Sequence, residues 1–130
     1  MFTIRLAEPK DVPVILDLII AIADYEKLLD QVEATEEILY DSLFVKNGAE
    51  VLLGEMDGKP IAFALFFHNF STFTGKRGLY LEDIFVQPQY RNCGYGKQFF
   101  SELAKIAKER DCGRMEWICL DWNEPSIQFY

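Results

Sequence analysis

The hydrophobic period of this chain changes twice between Gly78 and Leu120, and that order of periods narrows the fold more than any other feature. Gly78 to Val86 is a long β-type run closed by Pro88. From Gly96 to Arg110, Phe99, Phe100, Leu103, Ile106 and Ala107 fall on one helical face, while Lys97, Glu102, Lys105, Lys108 and Glu109 lie outside it. Arg114 to Leu120 then returns to a strand pattern. Strand, amphipathic helix and strand in this order form a β-α-β unit.

The rest of the chain fits around that unit. Phe2 to Leu6 alternates as a strand, and Ile15, Leu18, Ile19 and Ile22 recur at helical spacing behind Asp11, a suitable N-cap. Thr35 caps a second helix predicted through Phe44, which Asn47-Gly48 breaks before an apolar strand from Val51 to Glu55. Asp57-Gly58 reads as a type I′ hairpin turn, with Ile61 to His68 as the return strand. Pro125 is placed to open a short helix towards Tyr130. No linker, repeat or low-complexity segment interrupts residues 1–130, so one α/β or α+β domain is expected.

Composition excludes several classes of function. The chain has 130 residues, 13 Lys and Arg against 21 Asp and Glu, a net charge of −8, and half its residues apolar. A domain of that size holds a core without disulfides or a structural metal. Its longest uncharged stretch, Pro60 to Gly75, is continuously apolar only from Ile61 to Phe67, far short of a membrane span. Met1 to Asp11 lacks the apolar region of a signal peptide, so a cytoplasmic location is expected. Cys93, Cys112 and Cys119 have no metal-ligand spacing and only one histidine for company, so no metal is expected. The acidic balance argues against a nucleic-acid partner, which would need a basic stripe.

The charge is uneven as well. Residues 1–70 hold 5 basic and 13 acidic side chains, whereas residues 71–130 hold 8 of each. Asp24 to Asp41 alone contains seven acids against Lys27. Such a run is either the solvated face of two helices or an acidic rim that concentrates cationic substrates.

Chemistry concentrates between Tyr80 and Lys97, where a strand ends, turns through Gly94 and Gly96, and opens the amphipathic helix. Glycines let backbone approach a ligand closely, and the first helical N–H groups are unpaired donors at the positive end of the helix dipole. Such a place binds phosphate. A dinucleotide fingerprint would need a third glycine where Phe99 stands, and a Walker loop would need a different spacing ending in Gly-Lys-Ser/Thr. His68 has no motif partner and reads as a hydrogen-bonded structural histidine, and Cys93 contributes its backbone rather than its thiol.

Arg91-x-x-Gly94-x-Gly96, following Leu81-Glu82-Asp83-Ile84-Phe85-Val86, resembles the acetyl-CoA pyrophosphate loop of the GNAT superfamily of N-acetyltransferases. Asp24-Tyr25-Glu26-Lys27-Leu28, Asp30-Gln31-Val32, Tyr80-Leu81-Glu82-Asp83 and the run from Trp122 to Tyr130 resemble the diamine (spermidine/spermine) N-acetyltransferases and their thialysine-acetylating relatives. The resemblance implies a GNAT α/β fold: a central mixed, mostly antiparallel sheet flanked by helices, here without the family's C-terminal strands. It also implies a homodimer.

By the same resemblance, the backbone of Ile84, Phe85 and Val86 holds the pantetheine arm. Arg91, Asn92, Cys93, Gly94, Tyr95, Gly96 and Lys97 hold the pyrophosphate, and Asn123, Glu124, Pro125 and Ser126 line the acetyl end. Tyr130 matches the general acid that protonates the departing CoA thiolate. Tyr25, Glu26, Glu82 and Asp83 match the amine site. Glu82 and Asp83 are adjacent on a strand and point to opposite faces; the resemblance favours Glu82 for amine binding and proton removal. The implied reaction is acetylation of a primary amine on a small cationic substrate, such as spermidine or spermine, by direct attack on acetyl-CoA. Acetylation of thialysine or another lysine-like amino acid is the alternative, and a non-catalytic acyl-CoA or polyamine binding module is the alternative of another class.

Overall fold

A computed structural model describes residues 1–117. The end of the strand expected to Leu120, the helix opened by Pro125, and the site residues Asn123 to Ser126 and Tyr130 lie outside the described residues.

Five strands form one sheet in the order β1 (Phe2–Leu6), β2 (Glu50–Met56), β3 (Lys59–Phe67), β6 (Leu79–Val86), β7 (Met115–Trp117). The first four are antiparallel neighbours and β7 runs parallel to β6. Helix α3 (Tyr95–Glu109) makes the crossover between those two, which is the expected β-α-β unit. Asp57 and Gly58 turn the β2–β3 hairpin with φ of 51° and 85°, as a type I′ turn requires. The loop after β3 folds on itself as a small pair, β4 (Phe70–Ser71) and β5 (Lys76–Arg77), which the polar sequence there does not announce.

Both faces of the sheet are covered, which is why β3 reads as one apolar run rather than an alternation. On one face Phe99, Leu103, Ile106 and Ala107 of α3 pack on Ala62, Ala64, Phe66, Leu79 and Leu81. On the other, α1 (Val12–Tyr25) brings Val12, Ile15, Leu18 and Ile22 against Val51, Leu53, Phe63 and Phe85, joined by Leu39 of α2 (Glu36–Tyr40).

The helix starts differ in chemistry. Thr35 Oγ1 accepts from the Ile38 amide at 3.2 Å, the expected cap of α2, and a wider π turn over Asp41–Val45 carries the helix on. Asp11 sits before α1 but does not cap it through its side chain. Its buried carboxylate instead accepts from the Arg5 guanidinium at 2.8 and 2.9 Å and from the Glu8 amide at 2.7 Å. The charged fork turns the carboxylate towards β1 and away from the first α1 amides, and it holds the Asp11 carboxyl below its ordinary value.

Strand β6 contains one irregularity that matters for the site. Leu65 faces Asp83 but Phe66 faces Leu81, so Glu82 is an extra residue, a bulge.

Candidate active site

The bulge redistributes the two adjacent carboxylates. Asp83 is registered to Leu65 and alternates with Phe85, so it stands on the α1 side of the sheet. There it is half-buried, while Glu82 is exposed. The strict alternation expected of residues 82 and 83 fails at this point, because the unpaired extra residue shifts the phase of the strand: Leu81 packs on the α3 side and Phe85 on the α1 side. Burial pushes the Asp83 carboxyl from 3.8 up to about 7, aided by the negative charges of Glu82 and Glu26. Glu26, just past the end of α1, is raised by burial too. Tyr25, Glu26, Glu82 and Asp83 are thus brought to one region: the Tyr25 ring lies 6.3 Å from the Phe85 ring, beside Asp83 on the same strand.

At the end of β6 the chain passes through a 3₁₀ turn at Pro88–Tyr90 and enters the glycine turn. Asn92 and Gly94 are both left-handed, with φ of 64° and 83°, and Tyr95 begins α3. A left-handed residue before a right-handed one gathers successive N–H groups into an anion-binding concavity. Gly94 is the N-cap and has no side-chain oxygen to offer, so the first α3 donors are left for an outside acceptor. Asn92, Cys93, Gly94 and Lys97 are exposed, whereas Gly96 is buried. Cys93 Sγ lies 3.6 Å from the Arg91 carbonyl of its own loop.

Arg91 joins the two halves, a contact that sequence spacing did not reveal. Its Nε donates to the Val86 carbonyl at 2.9 Å. Its guanidinium carbon lies 4.1 Å from the Tyr25 ring centroid and 5.5 Å from that of Phe85. The residue expected at the phosphate end thus reaches back over the aromatic wall of the carboxylate end.

His68 is hydrogen-bonded at both nitrogens, as read from sequence. Arg110 donates to Nε2 at 2.9 Å, which makes Nδ1 the donor to the Gly78 carbonyl at 2.8 Å. Arg110 also holds Glu50 in a two-pronged pair at 2.5 and 2.9 Å, so this histidine braces the far end of the sheet. Among the described residues, no three His, Cys, Asp or Glu side chains are grouped to hold a metal ion. No described helix is long and apolar enough to cross a membrane.

Comparison with known proteins gives the family and the fold. Residues 17–130 match the model of the Acetyltransferase (GNAT) family. A thialysine N-epsilon-acetyltransferase from Sus scrofa is 38% identical, the match covering 98% of this chain and 79% of that protein. The spermidine/spermine N(1)-acetyltransferase-like protein 1 of Homo sapiens is 35% identical over 99% of this chain and 20% of its own length. A predicted acetyltransferase with acetyl-CoA from Clostridium acetobutylicum has the same fold, with a TM-score of 0.72 at 20% identity, covering 98% of this chain and 87% of the other.

Proposed function

Because this chain belongs to the acetyltransferase (GNAT) family and is an acetyl-CoA-dependent N-acetyltransferase, we propose that it acetylates the primary amine of a small cation, with Asp83 as the group that takes the proton. The observation that carries this reading is the half-buried Asp83 carboxyl with Glu26 and Glu82 about it. An aliphatic ammonium, with a pKa near ~10, has no lone pair for the thioester until it loses a proton. A carboxylate near pH 7 accepts that proton against a gap of about 3 pKa units, where an ordinary aspartate faces about 6. Glu82, the proton acceptor that the resemblance favours, is exposed on its bulge, and in this reading it holds the cation together with Glu26 while Asp83 takes the proton.

Acetyl-CoA binds across the other half of the site. Its pyrophosphate sits at the Arg91–Lys97 turn, where N–H groups of α3 and Lys97 meet the charge. Its pantetheine arm runs along Ile84, Phe85 and Val86, whose amides steady the thioester oxygen as the amine attacks. Asn123 to Ser126 line the acetyl end, and Tyr130 protonates the leaving thiolate.

A lysine-like amino acid such as thialysine is the substrate favoured by the 38% identical relative. It is favoured also by the Arg91 cation over Tyr25, which offers a partner for an α-carboxylate. A polyamine is the second reading, favoured by the acidic run from Asp24 to Asp41. The same reading includes a homodimer, as the family resemblance implies, and a cytoplasmic location, as expected from Met1 to Asp11 and the cysteine usage.

A CoA-release assay with thialysine, lysine, spermidine and spermine ranks these substrates by kcat/KM. Asp83→Asn is expected to lower kcat/KM at least ~100-fold and to abolish its fall below about pH 7. Glu82→Gln acts on the amine KM. Wild-type activity retained in Asp83→Asn removes Asp83 as the base, and acetyl-CoA binding without turnover of any amine would make the chain a binding module.

A further inference from the structure

Phe2 lies on β1 and is itself assigned no part in the chemistry. Its ring is stacked on that of Tyr95, centroids 3.9 Å apart and planes 14° from parallel, and meets Phe99 edge-on at 6.2 Å. Tyr95 and Phe99 are four residues apart on the first turns of α3, so both rings face β1. Gly54 on β2 makes this possible. A Cβ there would fall 2.7 Å from Phe2 Cζ and 2.9 Å from Phe99 Cζ, so only a glycine leaves the slot that Phe2 occupies.

We propose that Phe2 is a positioning residue for acetyl-CoA: by stacking on Tyr95 it fixes the first turn of α3, whose amides receive the pyrophosphate. This rests on the reading of the Arg91–Lys97 turn given above. Arg91 ties the start of the turn to the Val86 carbonyl and the Tyr25 ring, and the Phe2 stack holds its end at Tyr95. Asn92, Cys93 and Gly94 are exposed, two of them are left-handed, and the N-cap has no side chain. Tyr95 is the first helical residue after them, and the ring that clamps it comes from the opposite end of the chain. With the turn already set, the anion meets donors in place and loses no affinity to ordering them.

Phe2→Leu keeps apolar volume and removes the flat face. It is expected to raise the KM for acetyl-CoA, and the Kd for CoA, about fivefold, the weight of one aromatic stack. Saturated kcat and the amine KM stay within about twofold, since those groups lie across the sheet. Amide hydrogen exchange at residues 93–97 quickens in the same variant, a readout independent of turnover. Gly94→Ala, which forces a side chain on φ of 83°, serves as the companion. If it weakens CoA while Phe2→Leu changes neither KM nor exchange, positioning by Phe2 is wrong and the pyrophosphate reading stands. If Gly94→Ala leaves CoA affinity intact, both readings fall. A Phe2→Leu protein that loses kcat and both KM values together has a merely structural residue at that position, which also overturns the proposal.

Discussion

Replacing Asp83 by asparagine is expected to stabilise the ligand-free protein, and to do so only where the aspartate would be charged. The folded chain keeps the Asp83 proton up to about pH 7, whereas the unfolded chain releases it near ~4. Between those values the folded state binds more protons, so wild-type stability falls as pH rises and levels off above pH 7. The full shift of about 3 units amounts to roughly 4 kcal/mol at 1.36 kcal/mol per unit. Halved for residual solvent screening of a half-buried group, it leaves about 2 kcal/mol. For 130 residues at about 2.1 cal/mol/K each, that is a Tm gain of roughly 7 °C at pH 8. Asparagine keeps the shape and removes the charge, so the gain should shrink to near zero at pH 4. Thermal melts of both proteins at pH 4, 6 and 8 decide it. A constant Tm difference across that range, or a less stable variant at pH 8, would refute the burial argument and with it the tuned base.

Two other outcomes are expected. Gly54→Ala crowds Phe2 and Phe99 below 3 Å and should lower stability by about 1–3 kcal/mol, seen as a lower denaturant midpoint; an unchanged midpoint would mean that the rings shift freely. Tyr130→Phe removes the phenolic proton and should lower kcat while CoA affinity by calorimetry holds, an unaltered kcat taking Tyr130 out of the reaction.

Local rules made much of this molecule legible. Asp57-Gly58 turned a hairpin because both residues tolerate positive φ, and Thr35 capped α2 because the amide that donates to its hydroxyl lies three residues on. The α3 stripe needed only helical spacing to find its face. What escaped were contacts decided by a partner distant in sequence. Alternation assigned Glu82 and Asp83 to opposite faces, but the bulge is a property of the β3–β6 register and is invisible in either strand alone. Asp11 had the right spacing for a cap and lost it to Arg5, which also pairs with Glu55 across the sheet at 3.1 Å. Arg91 on Tyr25, and Phe2 on Tyr95, join residues 66 and 93 positions apart. An aromatic near the start of a strand or the end of a helix gives no local sign of such a role.

The sheet separates the two helices that flank the proposed site: α1 supplies Tyr25 on one face and α3 its first turn on the other, and β6 sends side chains to both. Changes to the α1 face and to the α3 turn, having no shared neighbour, should therefore combine additively in kcat/KM. Arg91 is the exception, since it leaves the loop before α3 to lie on the α1 face. A lineage, or a protein engineer, can then exchange one amine for another by editing residues around Tyr25 and Glu26 while acetyl-CoA recognition is inherited intact, so long as Arg91 keeps its place.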